Sequence, residues 1–348
     1  MAERDTMRAG FFVGDRTMEL REAAVPEPGE GEVLVRVLAC GVCGTDHHIY
    51  AGEVTDGVVP PVVLGHEVAA RVEAVGRGVT TVKVGQFCAI DPVIGCGCCR
   101  MCRAARPNLC ANPTVIGYKL NGGFAQYLLA PVAKVVPMAE SVGPAGGVLC
   151  ETLACVINGY DRLGFTAAAS AMVLGAGTVG LLWAQMLKNS PCTRLLQTEI
   201  VAFRRQKAEQ LGADVVIDPG AVDLAEAVRD ELPDGVDFIV DATGEPEAVE
   251  QAIGLLAKGG TFLIFGVCPA GAGIRITPFE LYNKEARIIA SKMPPRTLDR
   301  SARLIESGRI PCEQIVTGTF ALEQLAEKVA GFHDHRDSQV KVAIDPWR

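Results

Sequence analysis

The segment Val173-Leu-Gly-Ala-Gly-Thr-Val-Gly180 carries a G-x-G-x-x-G pattern. The apolar run Ala169–Leu174 leads into it, and a helical pattern continues from it to Leu187. A strand, a glycine-rich turn and a helix in this order are typical of the first βαβ unit of a sheet that binds a dinucleotide. Because glycine-rich turns are common, the pattern gains its meaning from the segments around it.

Each glycine of the pattern has a physical task in such a turn. Gly175 permits the tight bend, Gly177 lets the backbone approach a pyrophosphate, and Gly180 allows the helix to pack closely on the strand. The unpaired N–H groups at the start of the helix attract phosphate oxygens. We therefore predict a cofactor-binding loop at these glycines and at Thr178 and Val179 between them.

Strand and helix patterns alternate from residue 169 to residue 267, which predicts a doubly wound parallel sheet. The later predicted strands are Thr193–Thr198, Val215–Ile217, Phe238–Asp241 and Thr261–Gly266. The later predicted helices are Ala202–Leu211 and Pro246–Ala257, the second closed by Gly259 and Gly260. Beyond this region we predict helices at Leu298–Ser307 and Leu322–Phe332 and a last strand at Lys341–Asp345.

An acidic residue stands where such a sheet selects its dinucleotide. Glu199 ends the second strand, about 20 residues beyond the glycines, where a carboxylate accepts a hydrogen bond from the ribose 2′-hydroxyl. The same carboxylate would repel a 2′-phosphate, so this residue predicts NAD over NADP. Arg204 and Arg205 follow closely and weaken the preference, because an arginine at this place can bind the phosphate.

The first 140 residues have a different character. Short strand patterns such as Glu32–Cys40, Glu67–Val75 and Gln86–Ile90 are separated there by glycine and proline. They predict a mostly β domain that precedes the βαβ region. The fold class is therefore α/β with two domains, which the length of 348 residues also favours.

Composition limits the classes of function. A net charge of −8 argues against nucleic-acid binding, which usually needs a basic surplus. No apolar run reaches the roughly 18 residues of a membrane span, and Met1–Gly10 lacks the apolar stretch of a secretory signal. The 13 cysteines are odd in number and partly clustered, which indicates metal binding in a reducing compartment rather than disulfides. We therefore expect a cytoplasmic protein.

Four cysteines have the spacing C-x2-C-x2-C-x7-C: Cys96, Cys99, Cys102 and Cys110. Four thiolates at short spacings suit a tetrahedral zinc in a closed structural site. Cys98 is an additional cysteine inside the cluster, and the regular spacing leaves it out. A closed site has no open position for a substrate, so we expect this zinc to stiffen a loop.

Two further segments offer ligands for a second metal. Gly41-Val-Cys-Gly-Thr-Asp-His-His48 and Gly65-His-Glu67 together supply a thiolate, imidazoles and carboxylates. Each segment alone is a weak signal, because a single histidine in a β domain is usually structural. A catalytic zinc needs about three protein ligands and one open position.

In this order and spacing, the motifs resemble those of the zinc-dependent medium-chain dehydrogenases, which include alcohol, sorbitol and threonine dehydrogenases. The resemblance covers nearly the whole chain and includes Asp241-Ala-Thr-Gly244. It implies a GroES-like catalytic domain over residues 1–148, a Rossmann domain over residues 149–289 and a return to the catalytic domain over residues 290–348. It also implies an active site in the cleft between the domains.

The resemblance implies that Cys43 and His66 bind the catalytic zinc, with a third ligand near the domain junction. Polyol dehydrogenases carry a glutamate in an E-P-L segment there, and this chain has Glu151-Thr-Leu153. Glu151 is therefore our predicted third ligand, although a threonine replaces the proline. Cys150 is the alternative, since simple alcohol dehydrogenases use a cysteine near this position.

Two carboxylates are expected around these ligands. The resemblance places Glu67 behind the metal, where it can swing in to replace water. Asp46 is the expected acceptor for the ring N–H of His66. The zinc would lower the pKa of the substrate hydroxyl, and the carbon would release hydride to C4 of the nicotinamide.

The proton of that hydroxyl must leave a buried site. Thr45 can accept it, and His48 matches the relay to solvent in the family, since a histidine titrates near neutrality. His47 is the alternative to His48, but we expect it to be a solvent-exposed histidine. Among the cofactor contacts we also predict Thr243 on the adenine or ribose side and Val267 near the nicotinamide amide.

The resemblance implies hydride transfer between NAD and a secondary alcohol or polyol, and Glu151 favours polyols. The alternative is a simple primary alcohol dehydrogenase or aldehyde reductase with Cys150 as ligand. Two other classes explain less of the chain: a zinc-ribbon module for nucleic acid or protein, and a storage protein that binds NAD without turnover. We expect a small-molecule partner, no nucleic acid or membrane partner, and a homo-oligomer, a tetramer rather than a dimer.

Overall fold

The computed structural model describes residues 5–348, which form two compact units. Unit 1 contains the chain up to Ala154 together with Pro294–His335 and Lys341–Arg348, and unit 2 contains Cys155–Met293 and Arg336–Val340. The first four residues of Met1–Gly10, the segment in which we expected no secretory signal, lie outside the described residues.

The described residues contain eighteen strands, several helices longer than one turn and some short 3-10 turns. The strands are β1 (Thr6–Gly14), β2 (Thr17–Ala24), β3 (Glu32–Gly41), β4 (Val62–Val63), β5 (Glu67–Val75), β6 (Phe87–Ile90), β7 (Val93–Ile94), β8 (Thr114–Val115), β9 (Tyr127–Pro131), β10 (Val135–Pro137), β11 (Ser170–Leu174), β12 (Arg194–Thr198), β13 (Val215–Ile217), β14 (Val236–Asp241), β15 (Leu256–Ile264), β16 (Arg287–Ala290), β17 (Val316–Ala321) and β18 (Lys341–Asp345). The helices are α1 (Gly44–Ala51), α2 (Arg100–Arg103), α3 (Gly143–Leu163), α4 (Thr178–Lys188), α5 (Ala202–Gln210), α6 (Leu224–Glu231), α7 (Pro246–Ile253), α8 (Pro278–Lys284), α9 (Leu298–Glu306), α10 (Cys312–Ile315) and α11 (Leu325–Ala330).

Unit 1 is built on a seven-stranded sheet with the path β10-β6-β5-β3-β18-β17 and with β9 also paired to β3. A three-stranded sheet, β2-β1-β4, accompanies it. Buried valines of β3 alternate with less buried residues and join Leu64, Phe124 and Ile344 in the core of the unit. The central strand β3 therefore carries both the core and the chain that leads into α1.

Unit 2 is built on a six-stranded sheet in the order β13-β12-β11-β14-β15-β16, and all its strand pairs are parallel. This is the doubly wound order, with the topological switch point beside the first strand, β11. Met172, Leu196 and Phe262 lie in its core and are fully or almost fully buried. The predicted α/β class with a parallel sheet is confirmed.

The prediction for residues 246–260 was wrong in its second half. The helix α7 ends at Ile253, and β15 begins at Leu256 instead of Thr261. Gly259 and Gly260 therefore lie inside a strand and do not close a helix. Leu256 pairs with Val236, and a register shift follows between Val236 and Phe238, so the glycines lie at an irregularity in the ladder.

The unit boundaries differ from the predicted domain limits. The first boundary falls inside α3, after Ala154, instead of at residue 148, and the second follows Met293 instead of residue 289. Residues 336–340 also group with unit 2, where we had expected the C-terminal segment to belong entirely to the other domain. Two contacts explain this: Thr178 donates its hydroxyl hydrogen to the carbonyl of Val340, and Arg204 donates to the carbonyl of Gln339.

One segment, Glu140–Leu163, is long and apolar enough to cross a membrane by length and composition. In its most apolar window, 78% of the residues are buried inside the protein, which is the behaviour of a core helix.

Candidate metal centres and dinucleotide site

The four predicted cysteines of the loop converge on one point. The sulfur atoms of Cys96, Cys99, Cys102 and Cys110 all lie within 4.8 Å of one another. Backbone amides support them: the amide of Cys99 donates to the sulfur of Cys96 at 3.4 Å, and that of Cys102 donates to Cys99 at 3.5 Å. The hydrogen bond from the Cys99 amide, followed by one from the Cys98 amide, lowers the pKa of Cys96 to about 6. The donor set therefore fits a metal held by four thiolates.

Cys98 lies beside this cluster and is exposed. Its sulfur is 3.7 Å from that of Cys96, and it is not one of the four convergent sulfur atoms. The hydrogen bond to Cys96 raises the pKa of Cys98. All 13 cysteines lie in the described part of the chain and are free thiols, so the structure forms no disulfide there.

A second cluster lies where β3 and β5 run side by side. Cys43 is the N-cap residue of α1, two residues beyond the end of β3, and His66 comes directly before β5. One ligand atom each of Cys43, His66 and Glu67 lies within 4.8 Å of the others. Gly41 pairs with Glu67 in the antiparallel ladder, and this register brings the two segments together although they are distant in sequence.

The Asp46 carboxylate links the two segments of this cluster through hydrogen bonds to their backbone amides. It is fully buried and accepts hydrogen bonds from the amides of Cys43, at 2.9 Å, and Gly65, at 3.2 Å. It therefore fixes the backbone of Cys43 and of Gly65, the residue before His66. The Nδ1 atom of His66 is 3.6 Å from the Asp46 carboxylate, which is too long for a hydrogen bond. In this structure Asp46 therefore interacts with the His66 ring through its charge and not through the expected hydrogen bond.

The charges around His66 favour a cation at this position. Burial alone would lower the pKa of His66, but the Asp46 carboxylate and the Cys43 thiolate outweigh it and hold the pKa well above its usual value. The Nδ1 atom is buried without a hydrogen-bond partner among the described residues. Cys43 and His66 offer a thiolate and an imidazole, two of the donors that catalytic zinc takes, and the Glu67 carboxylate lies close enough to join them, so the residues fit this metal.

The two candidates for the third ligand have different surroundings. The thiol of Cys150 is completely buried, donates to the carbonyl of Leu298 at 3.8 Å and has a pKa raised to about 12 by burial. Glu151, the next residue in α3, is 8% exposed. The Tyr118 phenol, whose pKa is raised mainly by burial, feels the charges of both His66 and Glu151. Neither candidate is among the three residues whose ligand atoms converge, Cys43, His66 and Glu67.

Two buried residues near the cluster were not predicted. Lys341, the first residue of β18, pairs with Glu67 through its ammonium group, and Thr152 donates its hydroxyl hydrogen to Glu67 at 2.8 Å. Burial would lower the pKa of Lys341, but Glu67 and Cys43 outweigh this and raise it. Lys341 is almost 300 residues from Cys43 in sequence, so no local motif could have revealed it. The only signal was a charged residue at the start of a strand whose three middle residues are apolar.

The residues of the predicted proton relay lie along α1. The hydroxyl oxygen of Thr45 is 3.8 Å from the sulfur of Cys43. His48 is partly exposed, and its Nδ1 lies 2.6 Å from the Glu53 carboxylate. His47 is not the solvent-exposed histidine that we expected, because it is half-buried and its Nδ1 lies 2.9 Å from the carbonyl of Val329.

The glycine loop has the geometry expected for a dinucleotide. Gly175 adopts a φ of 90°, which only glycine adopts readily, and Gly177 is the N-cap residue of α4. A methyl group on Gly180 would overlap the carbonyl oxygen of Gly175, whereas one on Gly177 would have its nearest neighbour 3.7 Å away. The space at Gly177 is therefore open for a ligand. Thr178 and Val179 are half-buried in the first turn of α4.

Glu199 is tied to the same loop. Its two carboxylate oxygens accept hydrogen bonds from the amides of Ala176 and Val201, both at 2.9 Å. Arg205 forms an ion pair with Asp218 at 2.8 Å. Arg204 differs, since its Nε is buried without a hydrogen-bond partner among the described residues and its guanidinium lies beside Gly177. Burial lowers the pKa of Arg204.

The two remaining predicted cofactor contacts follow neighbouring strands. The buried carboxylate of Asp241, at the end of β14, accepts hydrogen bonds from the amide and hydroxyl of Thr243, at 2.8 and 2.6 Å. Thr243 itself is exposed, and Val267 is 83% exposed beyond the end of β15. Both lie at the carboxyl edge of the parallel sheet, where ligands bind in such folds.

Comparison with known proteins gives two family models that match the chain. The alcohol dehydrogenase GroES-like domain matches residues 29–140, and the zinc-binding dehydrogenase model matches residues 178–307. The D-arabinitol dehydrogenase 1 of Uromyces fabae is 30% identical over 344 residues, which are 98% of this chain and 97% of that protein. The D-altritol 5-dehydrogenase of Agrobacterium fabrum is 33% identical and covers 92% of this chain and 94% of its own length.

A solved structure extends the similarity to three dimensions. The crystal structure of a Sinorhizobium meliloti 1021 protein bound to NADP has a TM-score of 0.95 and 34% sequence identity. The match covers 99% of this chain and 100% of that chain.

Two alanine substitutions separate the packing and binding roles of the glycine loop. Gly177→Ala should leave the melting temperature unchanged and weaken dinucleotide affinity about tenfold or more, because its methyl group takes the space of the pyrophosphate. Gly180→Ala should instead destabilise the protein by about 1–3 kcal/mol, because its methyl group strikes the Gly175 carbonyl. Thermal unfolding and calorimetric titration measure both effects. Wild-type affinity in Gly177→Ala would show that this loop does not hold the pyrophosphate.

Proposed function

The chain belongs to the zinc-dependent medium-chain dehydrogenases, and we propose that it transfers a hydride between NAD and a secondary alcohol or polyol, or its ketone. One observation carries the proposal: the cluster of Cys43, His66 and Glu67 occurs in one chain with the glycine loop of a doubly wound sheet. The relatives named above include dehydrogenases of two sugar alcohols, D-arabinitol and D-altritol.

We assign the catalytic zinc to Cys43, His66 and Glu151. Support for Glu151 over its neighbour comes from the Cys150 thiol, which is fully buried and already donates to the carbonyl of Leu298. When bound, the zinc supplies Lewis acidity for the substrate hydroxyl. The four-cysteine loop would hold a second, structural zinc, which stiffens residues 96–110 and takes no part in the reaction.

The surrounding residues of the chain then have definite tasks. Thr45, beside the Cys43 sulfur, accepts the hydroxyl proton of the substrate. His48 takes that proton towards solvent, where the Glu53 carboxylate at 2.6 Å stabilises the charged ring. Asp46 fixes the backbone next to Cys43 and Gly65, so that the ligands keep their positions during turnover.

We propose NAD as the preferred cofactor on the basis of Glu199. Its carboxylate lies in the glycine loop, bound to the amide of Ala176, and its negative charge opposes a 2′-phosphate. Arg204 would favour NADP instead, because its positive charge lies beside Gly177 and its Nε has no hydrogen-bond partner among the described residues. The bound NADP of the Sinorhizobium meliloti relative makes this preference worth testing directly.

We further propose a cytoplasmic homo-oligomer, with a tetramer favoured over a dimer. Support for association comes from the edge strand β16 and from α8 next to it, where Phe279 and Tyr282 are 69% and 79% exposed. Large exposed aromatic side chains beside an open sheet edge favour contact with another chain.

The first test measures NADH formation across a panel of polyols, sugar alcohols, amino alcohols and simple alcohols. We expect turnover with a secondary alcohol or polyol and about two zinc ions per chain by elemental analysis of the same sample. If the protein, purified without chelator, held one zinc ion or none, the interpretation of Cys43 and His66 as ligands of a catalytic zinc would be wrong.

The assignment of the third ligand gives a second prediction. Glu151→Ala should lose the catalytic zinc and the activity but keep the structural zinc and the fold, because only one ligand set is damaged. Cys150→Ala is the matched control and should keep both metals and most of the activity. Zinc content and NADH formation decide between them, and the reverse result would assign Cys150 as the ligand.

Cofactor choice gives a third prediction. Glu199→Gln keeps the size and one acceptor oxygen but removes the charge, so we expect kcat/KM with NADP to rise about tenfold relative to NAD, for roughly 1.4 kcal/mol of lost repulsion. Arg204→Gln should move the ratio the other way. Steady-state kinetics with both cofactors measure the ratio, and an unchanged ratio in Glu199→Gln would contradict the role of this carboxylate.

A further inference from the structure

Lys341 is a buried ammonium group in contact with the predicted catalytic cluster. It is 4% exposed, pairs with Oε2 of Glu67 and donates a hydrogen bond at 3.0 Å to the carbonyl of Val42, the residue before Cys43. The other oxygen of Glu67, Oε1, accepts the hydroxyl hydrogen of Thr152. Both oxygens of this carboxylate are therefore held by side chains other than the metal ligands.

The backbone leaves room for this ion pair at one position. Gly41 pairs with Glu67 of β5 on one side and with Ala343 of β18 on the other. A methyl group on Gly41 would overlap Oε2 of Glu67 and lie 2.9 Å from Cε of Lys341. The Lys341 ammonium and the Glu67 carboxylate thus meet over a glycine in the centre of the sheet.

Two positive charges compete for the same carboxylate when the site is loaded. A divalent cation held by Cys43 and His66 would attract the Glu67 carboxylate, whose ligand atom lies within 4.8 Å of theirs. The Lys341 ammonium attracts it from the other side, and in a buried site both attractions are strong. A buried carboxylate that lost this ammonium would seek the remaining cation, because an unpaired buried charge is costly.

We propose that Lys341 is a positioning residue that holds Glu67 away from the catalytic metal. Thr152 contributes through its hydrogen bond to the other oxygen of the same carboxylate. The proposal rests on the proposed function, since it presupposes a metal at Cys43 and His66. It implies that the strength of the Lys341–Glu67 pair sets how readily the glutamate becomes an additional ligand, and hence how open the site is to substrate.

Cobalt(II) bound in place of zinc reports this directly, because its visible bands weaken when Glu67 adds to the existing ligands and raises the coordination number, and shift when Glu67 replaces a bound water. We expect Lys341→Met to weaken the visible bands and to slow metal release to a chelator about tenfold, the lower limit of the effects known for groups behind metal ligands. Lys341→Arg, which keeps the charge, should restore the wild-type spectrum. The four-cysteine site contributes equally to all variants and cancels in difference spectra.

The double variant Lys341→Met/Glu67→Gln tests whether the effect passes through Glu67. We expect it to show neither the weaker bands nor the slower release. Lys134→Met is the matched control, since it breaks a part-buried pair of the same unit, Lys134 with Asp91 at 2.7 Å, and should leave the cobalt spectrum unchanged. If Lys341→Met does not fold, Thr152→Val releases the other oxygen and should change the spectrum in the same direction.

The outcomes separate the two levels of inference. If the Cys43→Ser variant gave the same cobalt spectrum as the wild type, both the metal site and the proposed function would be refuted. A normal wild-type site with an unchanged spectrum and release rate in both Lys341→Met and Thr152→Val would refute the positioning role alone. Faster metal release in Lys341→Met would show that the lysine merely stabilises the site.

Discussion

The antiparallel pairing of β3 with β5 is the constraint on which the candidate metal site depends. Its register sets Gly41 opposite Glu67, so Cys43, two residues beyond one strand, comes next to His66, one residue before the other. The strand β18 adds Lys341 from the far end of the chain through its pairing with β3. A slip of one residue would turn Glu67 to the other face of the sheet and separate the ligands.

The two metal centres illustrate different ways of holding charge. The four-cysteine loop gathers its sulfur atoms within fifteen residues, and hydrogen bonds from its own backbone amides lower the pKa of Cys96 to about 6. The second cluster is assembled from distant segments and balances several charges: Cys43 and Glu67 against Lys341, with Asp46 beneath them. The first arrangement suits a permanent structural metal, and the second suits one whose ligands change during a reaction.

The dinucleotide region depends on a similar balance of charge. Glu199 is anchored by the amides of Ala176 and Val201, so its carboxylate has little freedom to leave the glycine loop. Arg204 lies beside Gly177 with an unpartnered Nε among the described residues. The opposing charges of the Glu199 carboxylate and the Arg204 guanidinium, rather than the glycine pattern itself, would decide between NAD and NADP.

The sequence by itself determined the features that are local in the chain: the glycine turn, the α/β alternation, the cysteine spacing and the family. Only the tertiary structure showed that Gly259 lies within β15, that His47 is half-buried, that Cys150 faces Leu298 and that Lys341 meets Glu67. The physical reason is distance along the chain. Periodicity and spacing record which residues share a turn or a face, whereas strand register and burial join residues separated by tens to hundreds of positions.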